Sequence, residues 1–270
     1  MIKNWILTGD CHGWVETRLG NIRRNMPDYK PEETAVIILG DAGLNYWLNS
    51  SDKKHKMRSA DYGYTIYCVR GNHEERPENL DYRKEYDENV YGYVYVDDFY
   101  DNIRYFVDGG EYVINGHPCL VLGGAYSIDK WYRIEQAQLR GTRSYWFADE
   151  QLTEYEMKEI SERVLGKRFD FVFTHTTALS WEPNDLFING VDQSRVDKTM
   201  EIWLDELKDQ FEWSVWCFGH YHADRIERPF VEQFYYDYEN METVWERWRR
   251  YDETNELDWW LPKSPHFYWE

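Results

Sequence analysis

The chain has 270 residues, 18% of them aromatic and 30% charged, with a formal net charge of -19. An apolar fraction of 42% marks a folded globular protein and excludes a disordered one. The acidity argues against binding a long nucleic acid, which rests on Lys and Arg neutralising phosphates, and no run approaches the roughly 18 apolar residues of a membrane span.

The first residues lack the long apolar stretch and small-residue cleavage site of a secretory signal, so a cytoplasmic setting is expected. Residues 5–8 read as a strand and Val15–Asn25 as a helix. Strands are then expected at 35–39 and 65–69, with a polar helix at 51–59 between them. A strand at 119–122 precedes a helix at 150–165, for which Thr153 with Glu156 spells a capping box and Asp149 is an equal candidate start. A strand at 169–174, a helix at 195–210 and a strand at 215–218 follow. The apolar runs are apolar on both faces, as in central strands covered on both sides, and their alternation with helices implies a mixed α/β sheet layered with helices.

No repeat, low-complexity run or Pro/Gly linker divides the chain, so one domain over residues 1–270 is the default. From near residue 224 onward Trp, Tyr and Phe crowd together with Arg and Glu. A helix is expected at 239–251 with Trp245 and Trp248 on one face, packed on the body of the domain; a dimer contact or a lid is the alternative. Cys11, Cys68, Cys119 and Cys217 show no CxxC spacing, which fits reduced thiols better than a disulfide framework or a zinc set.

The informative feature is what stops the apolar runs. Residues 5–8 end in Gly9-Asp10-Cys11-His12-Gly13, residues 35–39 in Gly40-Asp41, and residues 65–69 in Arg70-Gly71-Asn72-His73-Glu74. Residues 169–174 end in His175, and 215–218 in Gly219-His220-Tyr221-His222. Five strands thus each deliver a metal-competent side chain at the C-terminal end, the edge where ligands bind in open α/β sheets. A lone His there is commonly structural and a lone Asp a cap or turn residue. Five such ends, using five of the eight histidines, are hard to assign to caps. His55, His117 and His266 fall outside the pattern and read as surface or structural residues.

Spacing supports a shared site. Asp10 and His12 are two apart, as are His220 and His222, and in extended backbone such pairs point the same way, leaving Cys11 and Tyr221 to point away. Asn72 and His73 are adjacent and should diverge, one toward metal and the other toward substrate. Carboxylate, imidazole and amide oxygen without thiolate suit manganese, iron or zinc. One carboxylate such as Asp41 can bridge two cations at the roughly 3.5–4 Å of two-metal sites.

In this order, GDCHG, GD, GNHE, a single His after a strand and GHYH resemble the calcineurin-like metallophosphoesterase family across residues 9–222. Residues 123–130 are similar to a segment of its bacterial and phage-type members. The resemblance implies a four-layer α/β/β/α sandwich of two facing mixed sheets. It implies two divalent ions, foremost Mn2+ with Fe or Zn as alternatives: Asp10, His12 and His222 on one, Asn72, His175 and His220 on the other, Asp41 bridging. A bridging hydroxide would attack phosphorus while His73 protonates the leaving oxygen or stabilises its charge.

One departure stands out. The protein Ser/Thr phosphatase branch continues its second motif as GDxVDRG, whereas Leu44 and Asn45 here replace the acid that orients the motif histidine and the arginine that holds phosphate. Protein phosphatase activity is therefore not expected. Arg70, Lys130, Arg133 and Arg143 are candidates to hold phosphate instead, each with surface charge as the plainer role.

The expected activity is metal-dependent hydrolysis of a small phosphate ester. A phosphodiesterase or nucleotide hydrolase of the same fold is the alternative, since a diester needs fewer basic contacts. Tyr126, Trp131, Tyr132 and Trp146 would then stack a base, although core packing is their expected role. A noncatalytic metal-binding module would have lost ligands or the motif histidine, and all are present.

Overall fold

The computed structural model describes residues 2–187, 192–227 and 229–254; His266 and the end of the aromatic segment lie outside the described residues. In chain order the first half holds β1 (Asn4–Thr8), α1 (Val15–Asn25), β2 (Thr34–Leu39), α2 (Ser50–Ala60), β3 (Thr65–Val69), β4 (Arg83–Asp87), β5 (Gly92–Val96), β6 (Ile103–Phe106), β7 (Gly110–Ile114) and β8 (His117–Leu122). The second half holds α3 (Lys130–Arg140), α4 (Glu154–Val164), β9 (Arg168–Thr174), α5 (Thr199–Leu207), β10 (Glu212–Phe218), β11 (Arg225–Glu227), β12 (Val231–Gln233), β13 (Tyr238–Asn240) and α6 (Met241–Thr254).

These strands form two mixed sheets. One runs β13-β1-β2-β3-β6-β5-β4, with β1, β2, β3 and β6 parallel and the pairs β13-β1, β6-β5 and β5-β4 antiparallel. The other runs β11-β12-β10-β9-β8-β7, with β12, β10, β9 and β8 parallel.

Side-chain alternation explains the layering. In β1 and β2, Trp5, Leu7, Ile37 and Leu39 point into one core, where they meet Phe171, Phe173, Val215 and Cys217 of the facing sheet. The intervening Ile6, Val36 and Ile38 point the other way, onto Val15, Leu19 and Ile22 of α1. On the far side, Val172, Trp216 and Phe218 pack on Met157, Ile160 and Val164 of α4 and Leu204 and Leu207 of α5. Successive residues of one strand therefore serve different layers, and the result is the α/β/β/α sandwich.

Several elements differ from the sequence reading. Strand β4 reads Arg-Lys-Glu-Tyr-Asp and is mostly exposed, so it has no apolar run to announce it. The helix expected at 195–210 is only Thr199–Leu207, because a separate tight turn occupies Gln193–Arg195. Thr153 starts α4, with both bonds of its capping box formed, and Asp149 does not. Trp131 and Tyr132, expected to pack in the core, stand 65% and 62% exposed on the unanticipated helix α3. At the C-terminal side, Met241 and Val244 of α6 are buried in the core between the sheets, and the rings of Trp245 and Trp248 stack 4.4 Å apart against it. No described helix is long and apolar enough to cross a membrane.

Because both faces of β2 are covered, Ile37→Ala and Ile38→Ala should each destabilise the protein by about 2–5 kcal/mol. Urea midpoints would check this; a near-neutral Ile38→Ala would contradict a covered outer face.

Candidate metal centre

The loops that leave β1, β2, β3, β9 and β10 meet and are stitched together by backbone. The amides of Cys11 and His12 both donate to the carbonyl of Asp41, at 3.1 and 2.7 Å, and the Gly219 amide donates to the carbonyl of His175 at 2.9 Å. Two glycines make the approach possible. A Cβ at Gly71 would lie 2.0 Å from Asp41 Oδ1, and one at Gly40, whose φ is +88°, would lie 1.9 Å from His175 Nδ1.

The paired residues converge by a different route from the extended alternation expected of them. His12, Asp41, His220 and His222 all hold left-handed backbone angles, with φ of 44°, 48°, 67° and 51°. Such conformations cost non-glycine residues ~1–3 kcal/mol each and collect at functional sites. The chain therefore turns sharply at each of these positions, and the turns aim the side chains inward. Cys11 points away into the core beneath α1, as its neighbours' spacing suggested.

Three groups of donors gather: Asp10, His12 and His222; His12, Asp41 and His73; and Asp10, Asp41 and His175, with the atoms of each group within 4.8 Å of one another. Asp10, His12 and Asp41 each belong to two of these groups, and histidines of both sheets face Asp41. Its Oδ1 accepts from the His73 amide at 2.8 Å, while Oδ2 lies 3.6 Å from His175 Nε2 and 3.8 Å from His12 Nδ1. Asp10 Oδ2 accepts from the His220 amide at 2.8 Å, and its Oδ1 is buried with no hydrogen-bond partner among the described residues. The Nε2 atoms of His12 and His222 face each other at 2.9 Å.

His175 shows the same crowding of acceptors. Its Nδ1 faces the Leu39 carbonyl and its Nε2 faces Asn72 Oδ1, each at 2.9 Å. The Asn72 amide group donates from Nδ2 to Ser127 Oγ at 2.8 Å, which turns its oxygen toward the ring. A neutral ring donating to Leu39 would set a lone pair against that oxygen, so the arrangement needs either a second ring proton or a cation. An orphaned carboxylate oxygen, facing imidazole nitrogens and an oxygen-lined histidine form a donor set that suits divalent metal ions.

Electrostatics gives the same picture. Burial above all raises the Asp10 carboxyl to about 8, although His175 pulls it down. Burial would also raise Asp41, but His73, His175 and His12 outweigh it and hold that carboxyl well below the usual range. Burial disfavours a charged His175, yet Asp41 and Asp10 push its pKa up to about 9. The metal-free centre therefore holds protons where the carboxylates converge.

His73 lies at the rim, with its side chain 27% exposed and Nε2 4.0 Å from Asp41 Oδ2. Burial lowers its pKa to about 4, with Asp41 opposing and Arg133 reinforcing the shift. Arg133 comes from α3: one of its terminal nitrogens lies 2.6 Å from the His73 ring nitrogens, while Asp129 Oδ2 and the Tyr145 carbonyl hold the rest of the guanidinium at 2.7 and 3.0 Å. Tyr46 stacks beside His73, and Tyr145 stacks on Tyr46. Leu44 is buried in the outer core, and Asn45 Oδ1 accepts from Tyr82 and Tyr105, so neither stands beside His73.

The other cations with an expected phosphate role are engaged elsewhere. Arg70 is buried, bonded to Asp108 at 2.7 Å and to the carbonyls of Glu150 and Gly123, which makes it a cross-link between loops. Lys130 sits over the rings of Trp146, Trp131 and Tyr126. Arg143 is half exposed, 3.7 Å from Glu75.

Sequence reasoning missed three buried polar residues that shape the centre. Glu74 accepts from the amides of Ala42 and Gly71 and so joins two of the loops. Ser127 sets the Asn72 amide, and Arg18 of α1 reaches Thr8 and the Gly9 carbonyl beneath Asp10. Their residue types do not separate them from the many surface charges and hydroxyls, although Glu74 and Ser127 sit inside recognised segments.

A family model described as Calcineurin-like phosphoesterase matches residues 5–224. Among solved structures, TT1561 of Thermus thermophilus is similar at 13% identity and a TM-score of 0.45, covering 89% of this chain and 98% of that one. A phosphopantetheinyl hydrolase from Mycobacterium tuberculosis is similar at 12% identity and a TM-score of 0.42, covering 99% and 98%. No curated protein matches the sequence.

Metal uptake at pH 7 should expel protons, since His175 and Asp10 hold them there and a cation needs their lone pairs. Affinity for Mn2+ should accordingly rise between pH 7 and 9. Calorimetry in buffers of different ionisation heat would check it; a binding heat independent of buffer would contradict the assigned protonation.

Proposed function

Because the chain belongs to the calcineurin-like phosphoesterase family, which indicates metal-dependent phosphoester hydrolysis, we propose that it cleaves a small phosphate ester at a pair of divalent ions. Asp10, His12 and His222 would hold one ion, Asn72, His175 and His220 the other, and Asp41 would be shared between them. The observation that carries this reading is the convergence on Asp41 Oδ2 of His12 and His175, beside a buried Asp10 oxygen that nothing in the described residues satisfies. Manganese is the favoured ion, with iron or zinc as alternatives, because the set is hard and lacks thiolate. Bound there, such a pair supplies Lewis-acid charge and lowers the pKa of water toward neutrality.

The chain's own residues do the rest. Arg133 takes the place of the arginine missing at position 45, braced beside His73 by Asp129 and the Tyr145 carbonyl. His73 is neutral at pH 7 while burial and the guanidinium oppose its charge. A phosphate that engages Arg133 draws that positive charge off the ring and adds its own negative charge. Both effects raise the His73 pKa toward the range where it can pass a proton to the leaving oxygen.

The net charge of -19 favours small esters over long nucleic acids. Four buried free cysteines support a reducing, cytoplasmic setting. A diester is the second reading, supported by the single guanidinium at the His73 rim among the described residues.

The test is hydrolysis of a chromogenic phosphate monoester and the matching diester after chelation and return of Mn2+. Wild type should turn over at least one, Asp41→Asn neither. His73→Gln should keep its metal and lose about 10²–10⁴ in kcat. Arg133→Met should raise KM for the monoester more than for the diester. Equal turnover by wild type and Asp41→Asn, or full kcat in His73→Gln, would contradict the assigned roles.

A further inference from the structure

Tyr221 lies between two candidate ligands, His220 and His222, both in left-handed backbone geometry. The backbone of this turn is held by the Tyr221 amide donating to the Gly219 carbonyl and the His220 amide donating to Asp10 Oδ2, each at 2.8 Å, and the Tyr221 side chain adds an anchor to a second loop. The Tyr221 ring packs edge-on to the His220 ring at 4.9 Å and beside Phe218 and Phe187. Its hydroxyl reaches Thr176 Oγ1 at 3.1 Å, and Thr176 directly follows His175. The Thr176 hydroxyl in turn donates to Glu201 Oε1 of α5 at 2.7 Å.

Thr176 donates to Glu201, and either oxygen of the Thr176–Tyr221 pair can be the donor, while the Tyr221 hydroxyl also bonds to Glu182. Thr176 is wholly buried and Glu201 is 4% exposed. Glu201 Oε2 finds no hydrogen bond among the described residues. Burying that acid adds little to the α5 interface, where Leu204 and Leu207 already pack. What the chain does accomplish is geometric: a fixed point on α5 is joined to the loop after β9 and to the turn after β10 at once.

We infer that Tyr221 and Glu201 are positioning residues of the metal centre, which clamp the turn 220–222 to the His175 loop through Thr176. The clamp makes His175, His220 and His222 present their nitrogens together. The inference rests on the proposed ligand role of those histidines.

The test is calorimetric titration of Mn2+ into chelated full-length protein, with thermal unfolding of the metal-free form measured alongside. Tyr221→Phe and Thr176→Val should weaken Mn2+ binding by about tenfold or more, in the range of outer-shell substitutions at metal sites. The Mn2+ concentration for half-maximal hydrolysis should rise in step, with kcat recovering at saturation. Thr176→Ser, which keeps the hydroxyl, and Glu201→Gln, which keeps the acceptor oxygen, should retain most of the affinity. Unchanged Mn2+ affinity in Tyr221→Phe and Thr176→Val would overturn the inference alone, including the case where only their thermal midpoints fall. Wild type that takes up no Mn2+ would overturn the functional reading and the clamp together.

Discussion

Two carboxylates, Asp10 and Asp41, are buried close together at the seam between the sheets, and the architecture of this end of the molecule answers to that placement. Ionised acids out of reach of water and beside one another repel unless positive charge stands between them. Here the compensation comes from the protons that Asp10 and His175 retain. The left-handed angles at His12, Asp41, His220 and His222, and the absence of side chains at Gly40 and Gly71, are the backbone's share of the same requirement. A core packed only for stability would not accept such strain and such charge in one place.

Much of the centre was legible in the sequence for a simple physical reason. A strand buried on both faces must be apolar throughout, so the polar residue that ends it is conspicuous, and Asp10, Asp41, Asn72, His175 and His220 each end one. The number of sheets was not legible from those runs. Ile37 and Ile38 look alike in a list of apolar residues, and only the cores they enter distinguish a sandwich from one doubly wound sheet. The resemblance to a known family supplied what periodicity could not.

Residues that act by being charged and buried were harder to see. Arg133 was one basic residue among four candidates until α3 set it against His73 and left Arg70 tied to Asp108. Glu74 and Glu201 stand among 50 acidic residues, most of which a chain of net charge -19 must keep in water. The exposed Trp131 and Tyr132 show the converse: at 18% aromatic content a large ring is a poor marker of the interior.

The pairing of β1 with β13 joins the two extremes of the described chain. Ile6, Leu7 and Thr8 lie in register with Asn240, Glu239 and Tyr238, and the Thr8 hydroxyl donates to the Asp237 carbonyl at 2.8 Å. A ribosome that adds ~5–20 residues per second emits the first partner about 10–50 s before the second. During that interval the growing chain carries an apolar strand with one edge unpaired, the feature that invites association with other chains. The closing strand is also the costliest contact to form by loop closure, and such non-local pairing slows folding. The completion of this sheet therefore waits until β13 has been made, and the aromatic helix that follows β13 is made later still.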